Sequence, residues 1–278
     1  MKNKQGLFLS QKKILKEAGC EDYNESIRLL FSKAFKLPLN NSFQFQDHVG
    51  SNENAILFLD MVGRRAAGEP TSHIVCSRSF WKNDFYIDET VLDPRPDSEL
   101  IIDITKNLLF DDMKVLDLGC GSGCIGISLY QENPNIRLSL ADFSKKALSL
   151  SKKNAGELKV ECNFLHSDLF TNIKEKFDLI VTNLPYVAKD DFSYLQKEII
   201  LHEPHEALYG GMSGLDQINF FLVRVGRHLN EKGIFVIEFG NGQDDLLKRE
   251  LLRLNFGKFD FHKDLNGVNR LVCVIKDT

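Results

Sequence analysis

A short Asn-x-Pro-aromatic stretch is the part of the chain best suited to chemistry. Asn-Leu-Pro-Tyr at residues 183–186 directly follows the apolar run 177–181, which predicts a buried strand of a parallel sheet. At the end of such a strand, the Asn183 side chain and the carbonyl of residue 184 can both accept hydrogen bonds from a planar NH2 group. The stretch predicts a site that holds an NH2 group beside a methyl donor, although Asn and Pro are also common in ordinary turns. The predicted catalytic residues are Asn183, Leu184, Pro185 and Tyr186.

A glycine-rich turn earlier in the chain predicts a cofactor site. It follows the strand predicted over Lys114–Leu118, and glycines allow a sharp turn and the close approach of a ligand. The pattern alone is weak, because dehydrogenases use related loops. S-adenosylmethionine is favoured over a dinucleotide because Asp117 at the strand end suits a sulfonium ligand with a free amino group. Counted from Gly119, the final glycine of the cleaner Gly-x-Gly-x-x-Gly loop that a pyrophosphate prefers is also replaced by Gly126, which comes late. The predicted loop residues are Gly119, Cys120, Gly121, Ser122 and Gly123.

Two further acidic residues are expected at the same edge of the sheet. Asp142 ends the next strand, where a carboxylate can accept from both ribose hydroxyls; it could instead cap a helix, although Ser144 suits that role better. Asp168 ends the third strand and could accept from an adenine amino group, with Leu169 packed on the ring, or it could simply cap a turn. No Cys/His cluster has metal-ligand spacing, so no metal site is predicted, and Cys120 is interpreted as a small packing residue.

Composition sets the broad class. The 278 residues are 43% hydrophobic and 27% charged with a net charge of -4, which is typical of a soluble globular protein and argues against a strongly basic nucleic-acid binder. The six cysteines include no Cys-x-x-Cys pair, so free thiols in a reducing cytoplasm are expected. The apolar run near Met1 is too short for a secretory signal, and no run reaches the roughly 18–20 apolar residues that span a membrane.

Periodicity divides the chain into three parts. Residues 1–71 show helical spacing and predict a small helical domain, and residues 72–96 predict a linking β-hairpin whose turn is Asn83-Asp84. Residues 97–278 alternate strands and helices, which predicts an α/β domain with an open, mostly parallel sheet ending in an antiparallel hairpin. The predicted strands are Lys114–Leu118, Arg137–Ala141, Val160–Leu165, Phe177–Thr182, Gly233–Glu238, Lys258–Phe261 and Arg270–Ile275.

These motifs together resemble the HemK/PrmC family, the protein-glutamine N5-methyltransferases of peptide chain release factors. The resemblance covers nearly the whole chain. It includes Arg-Arg-x-x-Gly-Glu-Pro at 64–70, Phe-Trp at 80–81, Pro-Arg-Pro-Asp-Ser-Glu at 94–99, the glycine loop, the segment 203–216, and Glu-x-Gly-x-x-Gln at 238–243. It implies a Rossmann-like, seven-stranded class I methyltransferase domain that uses S-adenosylmethionine, acts in the cytoplasm in translation termination, and methylates the glutamine of a Gly-Gly-Gln motif. The helical domain is then expected to recognise the release factor, or else only to stabilise the catalytic domain.

One residue departs from the family pattern. The family usually has Asn-Pro-Pro-Tyr, whereas Leu184 makes this motif resemble that of ribosomal RNA adenine dimethyltransferases. An adenine N6-methyltransferase acting on RNA or DNA is therefore the main alternative, and a catalytically silent cofactor-binding module is a third. The order of domains argues against the first alternative, since that family places its helical domain after the catalytic one. Leucine keeps the backbone carbonyl of position 184, so the expected amide acceptors are Asn183 Oδ1 and that carbonyl, with Tyr186 bordering the amide.

Overall fold

The computed structural model describes residues 4–39 and 52–276, which form two compact units. One unit is the described part of Met1–Ser77 together with Gln196–His202, and the other is Arg78–Leu195 together with the described part of Glu203–Thr278. The chain therefore leaves the second unit after Leu195 and rejoins it at Glu203. The interpretations of residues 1–3 as non-secretory and of residues 40–51 as part of the helical domain lie outside the described residues.

Four helices precede the first strand of the described residues, and the remaining helices lie between strands. Their bounds are α1 (Lys4–Glu17), α2 (Tyr23–Phe35), α3 (Asn52–Ala66), α4 (Thr71–Val75), α5 (Glu99–Thr105), α6 (Cys124–Glu132), α7 (Lys145–Glu157), α8 (Lys197–His202), α9 (Asp216–Val225) and α10 (Asp244–Arg253). Within the ranges that the structure covers, no helix has the length and apolar composition needed to cross a bilayer.

Aromatic packing forms the core of the helical unit. The ring of Phe31 stacks on Phe35 with centroids 4.4 Å apart, and meets Phe8 and Phe58 edge-on at 5.4 and 5.1 Å. Residues 27, 30, 31, 34 and 35 recur at helical spacing and are all buried, so they form the apolar face that α2 turns to the core.

A buried arginine joins α8 to the rest of this unit. Arg65 is 4% exposed, and its guanidinium donates to Asp22 Oδ1 at 2.7 Å and to Glu198 Oε2 at 2.6 Å. A buried guanidinium is tolerated only when it is paired, so these two carboxylates hold α8 against the helical unit.

The second unit contains a seven-stranded sheet and a two-stranded hairpin. The strands are β1 (Arg78–Phe80), β2 (Asn83–Phe85), β3 (Lys114–Leu118), β4 (Arg137–Asp142), β5 (Cys162–His166), β6 (Phe177–Thr182), β7 (Leu229–Glu238), β8 (Lys258–Lys263) and β9 (Asn269–Ile275). The sheet order is β5-β4-β3-β6-β7-β9-β8, parallel except for β9, which is antiparallel to β7 and β8. The predicted α/β fold is confirmed, with β5 starting two residues later than expected and β7 four residues earlier.

Helices cover both faces of the sheet, as a parallel sheet requires. Val115 of β3 belongs to the core on one face and Leu116 to the core on the other, and Leu179 and Ile180 of β6 alternate in the same way. The order of strands reverses between β3 and β6, and ligands of such sheets bind beyond the carboxyl ends of the strands at this point.

A two-stranded hairpin forms where one was predicted, but its predicted turn is wrong. Phe80 pairs with Asn83, so Trp81 and Lys82 make the turn, with Trp81 at a φ of 54°, while Asn83 and Asp84 lie in β2. Hydrogen bonds explain the difference: the Trp81 amide donates to Glu99 at 2.9 Å and its indole donates to Glu132 at 2.6 Å. These contacts outweigh the local turn preference of Asn-Asp.

Candidate functional site

The glycine loop joins β3 to α6 at the point where the strand order reverses. Gly119, Gly121 and Gly123 have φ values of 73°, 53° and 79°, in the left-handed region that favours glycine. A Cβ on Gly121 would meet no atom within 4 Å, so the backbone there borders open space. The loop therefore offers bare main chain to a ligand, whereas Gly123 faces Ile127 and Ser151 and does not line the cavity.

Asp117 lies beneath this loop and not at the cavity surface. Its Oδ2 accepts a hydrogen bond from the Gly126 amide at 2.8 Å, and its Oδ1 is buried with no partner among the described residues. A Cβ on Gly126 would lie 2.9 Å from that of Asp117, so glycine is needed at position 126. Burial raises the pKa of Asp117 to about 7. Its position supports the start of α6 and, through it, the loop.

Asp142 lies at the cavity wall at the end of β4. Its two oxygens accept from the amides of Gly121 at 2.9 Å and Ser144 at 2.8 Å, so it connects the glycine loop to the start of α7. Ser144 is the residue that caps α7, accepting from the Ala147 amide. Burial raises the pKa of Asp142 above its ordinary value, although the amide hydrogen bonds act in the opposite direction. Each oxygen keeps a lone pair that can accept from a hydroxyl.

Asp168 and Leu169 follow β5 and also line the cavity. Leu169 has a φ of 44°, which is strained for a branched side chain. Ser167 holds it there, because its hydroxyl donates to the Leu169 carbonyl at 2.7 Å and accepts from the Asn172 amide at 3.0 Å. The strain fixes an apolar side chain beside an exposed carboxylate.

The Asn-Leu-Pro-Tyr turn follows β6 and adjoins the glycine loop. Asn183, Leu184 and Pro185 line the cavity, and Thr182 ties the end of β6 to β3 by donating to the Leu118 carbonyl at 2.6 Å. The Leu184 side chain is only 5% exposed. The turn and the loop thus form adjoining walls of one cavity.

Hydrogen bonds hold the turn from behind. Gln243 donates to the Tyr186 carbonyl at 2.9 Å and accepts from the Gly240 amide at 2.8 Å. The Val187 amide donates to the Leu208 carbonyl, and the Gly210 amide donates to the Val187 carbonyl, both at 2.9 Å. The backbone that carries the turn is therefore fixed on two sides.

Close backbone packing explains two glycines of the segment 203–216. A Cβ on Gly210 would lie 2.6 Å from the Pro185 carbonyl oxygen, and a Cβ on Gly214 would lie 2.3 Å from that of Tyr186. Neither distance is tolerable, so any side chain would displace the turn.

A buried hydrogen-bonded chain connects Asn183 to Glu238. The Asn183 amide donates to Ser98 Oγ at 3.1 Å, and the Ser98 hydroxyl donates to Glu238 Oε2 at 2.6 Å. The Tyr186 hydroxyl donates to Glu238 Oε1 at 3.2 Å, and Tyr186 does not line the cavity. The Tyr186 hydroxyl is thus held by Glu238, and the position of its ring beside a bound amide stays a prediction. Burial raises the pKa of Glu238.

Several residues that the structure brings together here had no predicted chemical role. Ser98 and Glu238 are parts of the Pro-Arg-Pro-Asp-Ser-Glu and Glu-x-Gly-x-x-Gln motifs, which were the only signal available. Arg95 of the first motif lines the cavity and donates to both oxygens of the buried Glu203 at 2.7 and 2.8 Å.

The cavity has a volume of about 860 Å³, a size suited to a small-molecule ligand. Its walls combine apolar side chains with the carboxylates of Asp142 and Asp168. Phe192 and His205 also line it, with their rings 5.2 Å apart.

Family models match both parts of the chain. Residues 95–213 match the model "Methyltransferase small domain", and residues 9–75 match "PrmC N-terminal domain". The matched ranges contain the glycine loop, the Asn-Leu-Pro-Tyr turn, α2, α3, α4 and the part of α1 from residue 9 onwards.

Curated relatives resemble the chain over most of its length. A "Release factor glutamine methyltransferase" of Koribacter versatilis is 34% identical over 79% of this chain and 79% of its own. A protein of the same name from Caulobacter vibrioides is 31% identical over 95% of this chain and 93% of its own.

Solved structures share the fold at low identity. A methyltransferase from Pyrococcus furiosus has a TM-score of 0.55 at 15% identity, covering 72% of this chain and 92% of its own. The 16S rRNA N2 G1207 methyltransferase of Thermus thermophilus has a TM-score of 0.52 at 18% identity, covering 72% and 49%. At these identities the likeness concerns the fold alone.

Proposed function

This chain belongs to the family of release factor glutamine methyltransferases, and from that membership we propose that it methylates the side-chain amide nitrogen of the glutamine in the Gly-Gly-Gln motif of peptide chain release factors. The observation that carries the proposal is the shared cavity of the glycine loop and the Asn-Leu-Pro-Tyr turn. A methyl donor on the loop and an amide on the turn would be neighbours there. Release factors act in the cytoplasm, where we therefore place the enzyme.

The cavity fits S-adenosylmethionine. The bare backbone at Gly121 allows close approach of a ligand, and the Asp142 carboxylate has lone pairs suited to ribose hydroxyls. Asp168 would accept from the adenine amino group, with Leu169 against the ring. Cys120 offers packing surface, since burial raises the pKa of its thiol well above the ordinary value and keeps it protonated. Asp117 would act indirectly, by supporting the loop.

An amide nitrogen is a poor nucleophile, because its lone pair is delocalised into the carbonyl. When bound, S-adenosylmethionine supplies a methyl group on a positively charged sulfur. The contribution of the protein is to orient the amide: Asn183 Oδ1 and the Leu184 carbonyl accept hydrogen bonds from the amide hydrogens and favour a pyramidal nitrogen. Such orientation can supply a large part of the reduction in barrier. The proton leaves afterwards to water, so the mechanism needs no general base.

The rigid mounting of the turn supports this role. The Asn183 Oδ1 and Leu184 carbonyl acceptors can orient the substrate amide only if their own positions are fixed. The contacts with Gln243, Gly210 and Gly214 restrict the backbone from residue 185 to residue 187. Pro185 also biases residue 184 towards an extended conformation. The acceptor geometry therefore does not need a proline at position 184.

We assign recognition of the release factor to the helical unit. The proposal is supported by the match of residues 9–75 to the PrmC N-terminal domain. It is also supported by exposed apolar side chains on α3, namely Ile56, Leu57 and Leu59, which are 66%, 44% and 44% exposed.

The alternative, methylation of adenine N6 in RNA or DNA, shares the chemistry of a planar NH2 group. The family membership does not favour it, and its only specific support in the sequence was Leu184.

One assay tests the proposal. The protein is incubated with methyl-labelled S-adenosylmethionine and, in separate reactions, release factor, release factor with its Gly-Gly-Gln glutamine replaced by alanine, and ribosomal RNA. We expect label on the unaltered factor alone. Label on RNA and not on the factor would overturn the proposal in favour of the adenine enzyme, and no label on any of them would favour the silent module.

A further inference from the structure

Two buried polar residues outside the predicted site form a hydrogen-bonded chain with Asn183: Ser98 contacts the Asn183 side chain, and Glu238 contacts Ser98. Ser98, 3% exposed, precedes α5, and Glu238, 1% exposed, ends β7. Ser98 Oγ lies 3.1 Å from Asn183 Nδ2 and 2.6 Å from Glu238 Oε2. The other oxygen of Glu238 is 3.2 Å from the Tyr186 hydroxyl.

The number of available donor hydrogens determines which residue donates and which accepts in each hydrogen bond of this chain. Both oxygens of Glu238 accept, one from Ser98 and the other from the Tyr186 hydroxyl, so Glu238 takes the single hydrogen of the Ser98 hydroxyl. Ser98 then has only lone pairs to offer Asn183. The Asn183 side chain must therefore turn its NH2 towards Ser98, which leaves Oδ1 on the opposite side of the amide group.

We propose that Glu238 and Ser98 are positioning residues that fix the orientation of the Asn183 amide, so that its oxygen and not its NH2 faces the substrate amide. The inference rests on the proposed function and deepens it. Asparagine oxygen and nitrogen are nearly equal in size, so the shape of the pocket cannot choose between the two orientations. Glu238 fixes the orientation of the Asn183 amide, because it accepts the Ser98 hydrogen and leaves Ser98 able only to accept from Asn183.

The wrong orientation would oppose catalysis directly. A reversed Asn183 presents an NH2 to the NH2 of the substrate, so two donors face each other and neither is paired in a buried site. The Leu184 carbonyl would be the only acceptor left. We expect the reversal to lower kcat about 10- to 100-fold, less than the roughly 100- to 1,000-fold seen when one oriented hydrogen-bonding group is deleted outright, because the Leu184 carbonyl still accepts.

The test is Glu238→Gln, which preserves shape and removes the charge. Its new NH2 can donate to Ser98, whose hydroxyl hydrogen is then free to bond Asn183 Oδ1 and reverse the amide. We expect kcat to fall about 10- to 100-fold while the Kd for S-adenosylmethionine changes less than about threefold. Ser98→Ala should also lower kcat, and Ser98→Thr, which keeps the hydroxyl, should restore most of it.

A double-mutant cycle separates positioning from general structural damage. In an Asn183→Ala background there is no amide to orient, so adding Glu238→Gln should cost no further activity. A further loss similar to that in the wild-type background would overturn the proposal, as would a Glu238→Gln enzyme with normal kcat. Thermal unfolding and cofactor binding of each variant establish that it is folded.

The outcome is separable from that of the proposed function. Wild-type label on ribosomal RNA and none on release factor would overturn the glutamine assignment. The cycle would then be measured on the RNA, because an adenine NH2 needs the same acceptor, and an additive cycle there would overturn the inference.

Discussion

The Leu184 side chain packs against Gly119: its Cδ2 lies 3.5 Å from the point that a Cβ on this glycine would occupy. Leu184 therefore has two separable features. Its carbonyl borders the proposed amide site, and its side chain braces the glycine loop.

Truncating that side chain should affect stability more than chemistry. For Leu184→Ala we expect the free energy of unfolding to fall by about 2–3 kcal/mol, as for other buried leucines. The Kd for S-adenosylmethionine should rise, while kcat at saturating cofactor should stay within about threefold. Urea denaturation and steady-state kinetics measure these effects. Leu252→Ala, at a side chain that is 54% exposed, is the matched control. A large fall in kcat would assign the side chain a direct role.

Removing the Asn183 amide should affect chemistry more than binding. Asn183→Ala deletes one of the two proposed acceptors, so we expect kcat to fall by at least about 100-fold. Cofactor affinity, measured by calorimetry, should fall only modestly. Asn163→Ala on β5, at an exposed asparagine, should leave both values unchanged. Near-normal turnover in the first variant would remove Asn183 from its role.

Adding one methyl group at Gly210 should damage the turn. The new Cβ would lie 2.6 Å from the Pro185 carbonyl oxygen, so the backbone that carries the acceptors must move. We expect kcat for Gly210→Ala to fall about tenfold or more. The control is Gly156→Ala in α7, where a Cβ meets nothing within 4 Å and the helix should gain about 0.5–1 kcal/mol. Equal activity of the two variants would contradict this explanation of the glycine.

The buried Asp117 should make stability depend on pH. Burial raises its folded-state pKa to about 7 from an ordinary value of 3.8. The folded protein therefore holds the proton more tightly than the unfolded chain does. The contribution of Asp117 is complete below about pH 4 and is lost as the pH rises through about 7, a change on the order of 4 kcal/mol.

Asp117→Asn should abolish that dependence. Urea unfolding of the cofactor-free protein between pH 5 and pH 8 measures it: the wild type should lose stability relative to the variant as the pH rises. Asp112→Asn, at a side chain that is 75% exposed, should keep the wild-type slope. Parallel wild-type and Asp117→Asn curves would show that Asp117 does not titrate in this range.

A charge on α3 should weaken recognition of the release factor if the helical unit provides it. For Ile56→Glu we expect the KM for intact release factor to rise severalfold, with kcat and the KM for a short Gly-Gly-Gln peptide unchanged. Leu265→Glu, at a fully exposed apolar residue of the β8–β9 turn, is the control. Equal KM values for the factor would argue that this surface of α3 takes no part.

The local sequence pattern was enough to predict the parallel sheet and the carboxyl edge at which the site lies. The apolar run before Asn183 gave β6, and the strand before the glycines gave β3, because buried parallel strands need side chains that are apolar on both faces. The Trp81 turn was not predictable from its own residues, since its unusual φ depends on hydrogen bonds to Glu99 and Glu132. Ser98 and Glu238 lie 140 residues apart in the chain, and no spacing rule places their side chains together.

The excursion of the chain through α8 limits how this protein can be divided. A single cut after Ser77 would leave Arg65 in one fragment and Glu198 in the other, with a buried guanidinium deprived of one of its carboxylates. The two units consequently cannot be exchanged between proteins by a single gene fusion, because each of them is formed by two separate stretches of the chain. A chimera that takes its helical unit from another protein would have to bring the matching seven-residue stretch, Gln196–His202, from the same donor.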